Sequence, residues 1–157
     1  ERESHVLGPC TVSFDLGIDD RMDWIVNEPK NSESLDGSLT FTQYSATIVA
    51  DLTESEFYAE SARLGRTPSS DAASIKIEQY NTSSDVSVNG TAMLIDLPIS
   101  KRVIDGRNGV IGSTGSVYAA AWWVDNNMSV VVDSSFPWDD GTLSLLKSIH
   151  VERNETV

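Results

Sequence analysis

The chain has few of the residues that metal sites and hydrolytic sites most often use. It contains one cysteine, Cys10, and two histidines, His5 and His150, in 157 residues. A single cysteine excludes a disulfide within the chain, and two distant histidines do not form the short-spaced pair typical of imidazole metal sites. Cys10 starts the alternating apolar run 10–16, which predicts a core residue rather than a nucleophile.

Positive charge is also scarce. The chain has 11 Lys and Arg residues against 24 Asp and Glu residues, for a net charge of -13. That charge repels nucleic acid and anionic lipid, so neither is expected as a partner. No run approaches the ~18 consecutive apolar residues of a membrane-spanning helix, so we expect no direct membrane insertion by these residues.

Length and composition predict one folded domain. The chain of 157 residues is 39% hydrophobic, which is enough to bury a core. We therefore expect a single globular domain over residues 1–157. Its loose ends are predicted at 1–9 and 153–157, where charge is high and no hydrophobic period is visible.

The strongest structural signal is the apolar run 117–124, VYAAAWWV, followed by a turn and a second apolar run at 128–132. A strand that is apolar on both faces must be covered on both faces. Trp122 and Trp123 are neighbours, so they point to opposite faces and are predicted to fill two layers. Trp138, beside Pro137, is the better candidate for a partly exposed aromatic.

Alternating and capping patterns predict the remaining elements. Thr53 and Glu56 form a capping box, which with Gly65 as a stop signal predicts a helix over 54–64. A second helix is predicted to begin at Asp139 and Asp140, whose carboxylates suit a helix N-terminus. The other predicted strands lie at 10–16, 23–26, 39–50, 74–80, 92–97, 101–104, 110–111 and 150–152.

Three patterns could indicate a site, and each has a structural interpretation that we favour. Glycines recur every third residue at 106, 109, 112 and 115, but a strand rather than a helix follows them, which indicates a hairpin connection and not a nucleotide site. Acidic groups at Asp19, Asp20 and Asp23, and at Asp139 and Asp140, could bind calcium but lack the spacing of a calcium-binding loop. His150 could pair with a serine and an aspartate, although an ordinary half-buried histidine is the favoured interpretation.

Four Asn-x-Ser/Thr sequences mark possible glycosylation acceptors, at Asn81, Asn89, Asn127 and Asn154. Four is a mild excess over chance for a motif of exported proteins. The chain also begins at Glu1 rather than methionine, as it would after removal of a signal or anchor. We therefore expect an extracytoplasmic, secreted or surface-anchored protein.

The C-terminal part of the chain resembles PsbP-like domains. The resemblance covers Val117 to Glu152 and consists of a two-sided strand (VYAAAWWV), a turn, a second strand (MSVVVDSS), a helix (TLSLLKSI) and a short return strand. The hairpin at 104–109 fits the same order. The resemblance implies an α+β fold, a mainly antiparallel sheet with helices on both faces in a PsbP-like α/β/α sandwich. It also implies non-catalytic binding or scaffolding outside the cytoplasm, and it transfers no site residue.

The acidic composition with its acceptor asparagines is also similar to that of uncharacterised secreted proteins of methane-producing archaea. The leading functional hypothesis is therefore a non-catalytic extracytoplasmic domain that binds a protein or a cell-envelope component, without a cofactor, a catalytic residue or a metal site. The alternatives are a hydrolase that uses His150 and a calcium or small-ligand binding protein.

Overall fold

A computed structural model describes residues 2–15, 22–33, 40–50, 55, 58–59, 61–62, 65, 71–81, 99–113, 118–125, 127–134 and 147–154. Eleven strands account for most of them. The strands are β1 (Arg2–Leu7), β2 (Cys10–Asp15), β3 (Met22–Val26), β4 (Lys30–Glu33), β5 (Thr40–Ala50), β6 (Asp71–Tyr80), β7 (Ile99–Ile104), β8 (Arg107–Ser113), β9 (Tyr118–Asp125), β10 (Met128–Ser134) and β11 (His150–Arg153).

The strands form two antiparallel sheets. The small sheet has three strands in the order β1-β2-β11, and the large sheet has eight, in the order β3-β5-β6-β10-β9-β8-β7 with β4 also paired to β5. Strands β3 and β4 follow one another along the same side of β5. Alternation of apolar and polar residues gives each sheet one apolar face, and the two apolar faces pack together.

The core lies between the sheets. The small sheet contributes Leu7, Cys10, Val12, Phe14 and Val151, all fully or nearly fully buried. We call the side of the large sheet that meets them the core face. It carries Ala46, Ile48, Ile75, Ile77, Ala120, Trp122, Val130 and Val132. The opposite side, the outer face, carries residues of the other parity, including Lys76, Glu78, Ala121, Trp123 and Ser129.

Strand β9 is central and covered on both sides, as predicted from its two-sided apolar sequence. It lies between β8 and β10 in the large sheet. Trp122 on the core face is 1% exposed, Ala121 on the outer face is 0% exposed, and Trp123 is half-buried. The prediction that the two tryptophans fill opposite faces is therefore confirmed.

The predicted α+β sandwich with helices on both faces is wrong. The described part of the chain is almost entirely antiparallel sheet, and the small sheet rather than a helix covers the core face. The physical reason is at the N-terminus, where residues 2–7 pair with β2 instead of forming a loose lead-in. Glu3, His5 and Leu7 lie opposite Phe14, Val12 and Cys10 and therefore point to the same inner side of the small sheet. Because two of these three β1 residues are polar, the sequence of residues 2–7 does not show the apolar alternation of a strand.

Parts of both predicted helices lie outside the described residues. Within 54–64, residues 55, 58–59 and 61–62 are helical, and the Gly65 amide donates to the Ser61 carbonyl at 3.0 Å. From the second predicted helix only residue 147 is described as helical. Among the described residues no helix has the length and apolar character needed to cross a membrane. The predicted strand 92–97 and Trp138 also lie outside the described residues.

Candidate functional site

An open groove of about 670 Å³ lies where β4, β5 and β6 meet at one end of the large sheet. Nine residues line it: Asn31, Ser32, Glu33, Thr40, Phe41, Thr42, Gln79, Tyr80 and Asn81. Six of these nine are hydroxyl or amide residues, two are aromatic and one is acidic. The groove is therefore lined mainly by polar side chains.

Strand register places these side chains. Thr42 of β5 lies opposite Asn31 of β4 and Gln79 of β6, so three polar side chains form a row across three strands. The Thr42 hydroxyl donates to Asn31 Oδ1 at 2.9 Å. Asn31 also has an NH2 group, which can serve a ligand as a donor.

The ends of β5 and β6 are held together beside the groove. The Asn81 amide donates to the Thr40 carbonyl at 2.9 Å, and the Thr40 amide donates to Asn81 Oδ1 at 3.2 Å. The Tyr80 amide donates to the Asn127 carbonyl at 2.8 Å. These bonds continue the sheet ladder past the last paired residues, so the groove has a rigid floor.

Aromatic rings form a row on the outer face. The centroids of Phe41 and Tyr80 are 5.2 Å apart, and those of Tyr80 and Trp123 are 5.6 Å apart. All three side chains are half-buried. Burial, and then the nearby charge of Glu78, raises the pKa of Tyr80, so its hydroxyl stays protonated at neutral pH and can donate a hydrogen bond.

The lining favours a neutral or cationic ligand. The lining residues include Glu33 but no lysine, arginine or histidine. The chain carries a net charge of -13, so an anion would be repelled at long range as well. Hydroxyls, amides and ring faces are the groups that bind polyhydroxylated molecules, since they offer hydrogen bonds in both directions and a flat apolar contact.

His150 forms a second polar cluster, on β11. Its Nδ1 is hydrogen-bonded to Oδ1 of Asp105, which lies in the turn between β7 and β8. Asp105 Oδ2 accepts from the Val151 amide at 3.0 Å and from Arg107 Nη1 at 3.2 Å. The Asp105 side chain is only 8% exposed. The carboxylate therefore joins a turn of the large sheet to the edge strand of the small sheet.

The hydrolase alternative depends on what faces the other ring nitrogen of His150. That atom, Nε2, lies 3.8 Å from Oε2 of Glu152, a second carboxylate. A catalytic triad has a nucleophilic hydroxyl in this place. The groove lined by the nine residues does not include His150. A structural role for the Asp105–His150 contact accounts for its geometry.

The remaining candidates have structural explanations where they are described. Cys10 is fully buried with Sγ 3.1 Å from Met128 Sδ, which confirms its predicted core position, and burial raises its pKa to about 11. His5, predicted in a loose segment, stacks on Trp24 with ring centroids 4.6 Å apart. Gly109 belongs to β8, where a Cβ would lie 2.6 Å from the Ala121 carbonyl oxygen. Gly106, Gly109 and Gly112 thus lie in the β7–β8 hairpin, as predicted, and Gly115 lies outside the described residues.

No cluster of three or more metal-ligating side chains occurs among the residues that the structure describes. Asp23 lies exposed on β3, while Asp19, Asp20, Asp139 and Asp140 are outside the described residues. The calcium alternative therefore gains no support, and we do not propose it.

The predicted glycosylation acceptors differ in their surroundings. Asn81 and Asn154 are exposed, and Asn89 lies outside the described residues. Asn127 is half-buried; its Nδ2 donates to the Tyr80 carbonyl at 3.4 Å, and Ser129 of its acceptor sequence is 0% exposed. Arg153 contacts Asn127, so Asn81, Asn127 and Asn154 lie at the same end of the molecule. Their modification stays a prediction.

The sequence did not reveal the groove. The polar composition of residues 29–37, which include Pro, Lys, Asn, Ser, Glu and Asp, predicts a loop, yet 30–33 form β4. The available signal was the pair Phe41 and Tyr80, each an aromatic residue at the end of an alternating run and flanked by polar residues. Nothing local in the sequence indicates that these two ends are adjacent.

Comparison with known proteins adds no relative. No family model, curated protein or solved structure matches the chain, so the resemblance to PsbP-like domains stays an expectation.

Proposed function

We propose that this chain is a non-catalytic, extracytoplasmic binding domain, and that the groove at the ends of β4, β5 and β6 binds a neutral glycan of the cell envelope. The observation that carries the proposal is the row of amide and hydroxyl side chains that Asn31, Thr42 and Gln79 form across three strands in the groove. The hydroxyls of a glycan both donate and accept hydrogen bonds, and amide and hydroxyl side chains offer partners of both kinds.

Charge supports the same class of ligand. An envelope polymer that carries phosphate or carboxylate groups would be repelled by Glu33 and by the net charge of -13. A neutral polysaccharide has no such penalty. The exposed acceptor asparagine Asn154, which does not line the groove, is consistent with a location outside the cytoplasm, where such polymers are found.

The test is calorimetric titration of the folded chain with neutral hexasaccharides of glucose, mannose and N-acetylglucosamine. Asn31→Ala and Gln79→Ala should each lower the affinity for the bound sugar by about fivefold, since one hydrogen bond contributes on the order of 1 kcal/mol. Asn108→Ala is the matched control, because Asn108 is also an exposed strand asparagine but lies on β8.

Two results would reject the glycan site. One is the absence of heat with every sugar at millimolar concentration. The other is binding that Asn31→Ala and Gln79→Ala leave unchanged. Circular dichroism of each variant shows whether the fold is retained, so that loss of binding is not confused with unfolding.

A hydrolase remains the second candidate because Asp105 orients His150 as an acid orients the histidine of a triad. Incubation with a fluorophosphonate probe separates the two functions. Labelling of the native chain that disappears in His150→Ala would favour the hydrolase, whereas an unlabelled chain that binds sugar favours the binding domain.

A further inference from the structure

Among the described strands, β3 and β7 are the two outermost strands of the large sheet. Strand β3 pairs only with β5, and β7 pairs only with β8, among the strands that the structure describes. The outer side of an edge strand presents backbone N–H and C=O groups that can pair with another strand. The two edges lie at opposite ends of the sheet, and their side chains differ in charge.

The β7 edge is basic although the chain as a whole is strongly acidic. Lys101, Arg102 and Val103 are exposed, Val103 at 73%. The Arg102 guanidinium donates to the Lys101 carbonyl oxygen at 2.8 Å. The hairpin 99–113 contains Lys101, Arg102 and Arg107 against Asp105, a net charge of three minus one, or +2.

The β3 edge is acidic and apolar. Ile25 and Val26 are 50% and 53% exposed, and Asp23 is exposed beside them. Over residues 22–33 the charges are Asp23, Glu28 and Glu33 against Lys30, a net charge of one minus three, or -2. The two edges therefore have opposite charge, and each has exposed apolar side chains.

Direction and parity make the edges compatible. Six antiparallel pairings separate β3 from β7, so the two strands run in the same direction. Trp24 pairs with Ile48 on the core face, and Arg102 pairs with Gly109, which lies opposite Trp122 on the same face. A second copy translated across the strands would therefore place its β3 beside β7 of the first copy. The two strands would run parallel, and the core faces of both sheets would lie on the same side.

One register pairs residues 23–25 of β3 favourably with residues 101–103 of β7. With Asp23 opposite Lys101, a carboxylate meets an ammonium group; Trp24 then lies opposite Arg102, an indole beside a guanidinium. Ile25 lies opposite Val103, and two apolar side chains leave water together. Each such cross-strand pair contributes on the order of 0.2–1 kcal/mol.

We propose that the β7 edge of one molecule binds the β3 edge of a second copy, so that the large sheet continues from one molecule into the next. The interface joins two different surfaces and does not close on itself, so it adds further copies at each end. The alternative of β7 against β7 places like charges opposite one another and is disfavoured.

The experiment is sedimentation velocity of the full chain from micromolar to millimolar concentration at physiological salt. The native chain should form species larger than a dimer as concentration rises. The double variant Lys101→Glu, Arg102→Glu should be monomeric over the whole concentration range. The single variant Asp23→Lys should be monomeric over the same range. An equimolar mixture of the two should associate again, because each supplies the complementary edge that the other has lost.

Lys147→Glu is the control, since it changes the charge of an exposed lysine that belongs to neither β3 nor β7 and should associate like the native chain. A native chain that stays monomeric at millimolar concentration overturns the proposal. A double variant Lys101→Glu, Arg102→Glu that still dimerises also overturns it, because that result would indicate pairing of β3 with β3. An equimolar mixture of the two variants that stays monomeric overturns it as well. Circular dichroism confirms that each variant is folded.

Discussion

Two carboxylates lie half-buried on the outer face, Glu78 on β6 and Asp133 on β10. Burial raises the pKa of each from ordinary values of 4.5 and 3.8, and the positive charge of Lys76 partly opposes the rise. The folded chain therefore holds these protons more tightly than the unfolded chain. The stability from this linkage is present below the unfolded pKa and is lost as pH rises through the folded pKa.

Replacing Glu78 with glutamine should therefore stabilise the protein at neutral pH. Glu78→Gln removes the cost of a half-buried charge, and we expect a gain of roughly a few tenths of a kcal/mol, since solvent screens this partly exposed group. Urea denaturation should show a larger gain at about pH 8 than at about pH 5. The control is Glu28→Gln, at an exposed position. A destabilised Glu78→Gln protein, or a gain that does not change with pH, would contradict the assignment.

At the scale of elements, the hairpin of β1 and β2 docks onto β5 through its turn. Gly8 has a φ of 57°, and a Cβ built on it would lie 2.5 Å from Cγ of Tyr44. The ring of Tyr44 thus packs directly on the turn backbone. This contact explains why residues 2–7 are ordered as a strand although their sequence is charged.

The variant Gly8→Ala should destabilise the fold by about 2–4 kcal/mol, because positive φ and overpacking against Tyr44 both oppose it. Gly106→Ala is the matched control: its φ is 74° but nothing lies within 4 Å of the added Cβ. Gly106→Ala should lower the free energy of unfolding by about 1 kcal/mol, which is the backbone strain alone. Chemical denaturation of the two variants measures the difference, and equal losses would show that the Tyr44 contact contributes nothing.

At the scale of the whole molecule, one buried carboxylate joins the two sheets. Asp105 from the β7–β8 turn accepts hydrogen bonds from the Val151 amide and from His150, both on the edge strand of the small sheet. Most other contacts described between the sheets are apolar packing, which has no preferred direction, and the ion pair between Arg153 and Asp125 is more exposed. Asp105 supplies a directional contact that fixes β11 relative to the large sheet.

Asp105→Ala should lower the free energy of unfolding by about 1–3 kcal/mol, because it leaves the Val151 amide without its hydrogen-bond acceptor. Hydrogen exchange should accelerate first in β11. Asp125→Ala is the comparison, since Asp125 forms a more exposed ion pair with Arg153 at 2.7 Å and should cost less than about 1 kcal/mol. Uniform acceleration across both sheets, or equal costs of the two variants, would show that Asp105 does not act on β11 in particular.

The sequence by itself determined the local structure of most strands. Alternation identified nine of the eleven strands to within a few residues, including the run from 10 to 16 and the return strand at 150. The two-sided run at 117–124 correctly predicted a central strand, since side chains of neighbouring residues must leave the backbone on opposite faces. The core position of Cys10 followed from the same rule.

Only the tertiary structure decided which strands share a sheet and what covers each face. The sequence pattern does not distinguish a helix from a second sheet as the covering layer, because either buries the same apolar area. It also could not predict that residues 2–7 form a strand, that His5 stacks on Trp24, or that Asn31, Thr42 and Gln79 meet in one groove. These contacts join residues far apart in the chain, and local periodicity carries no information about such pairings.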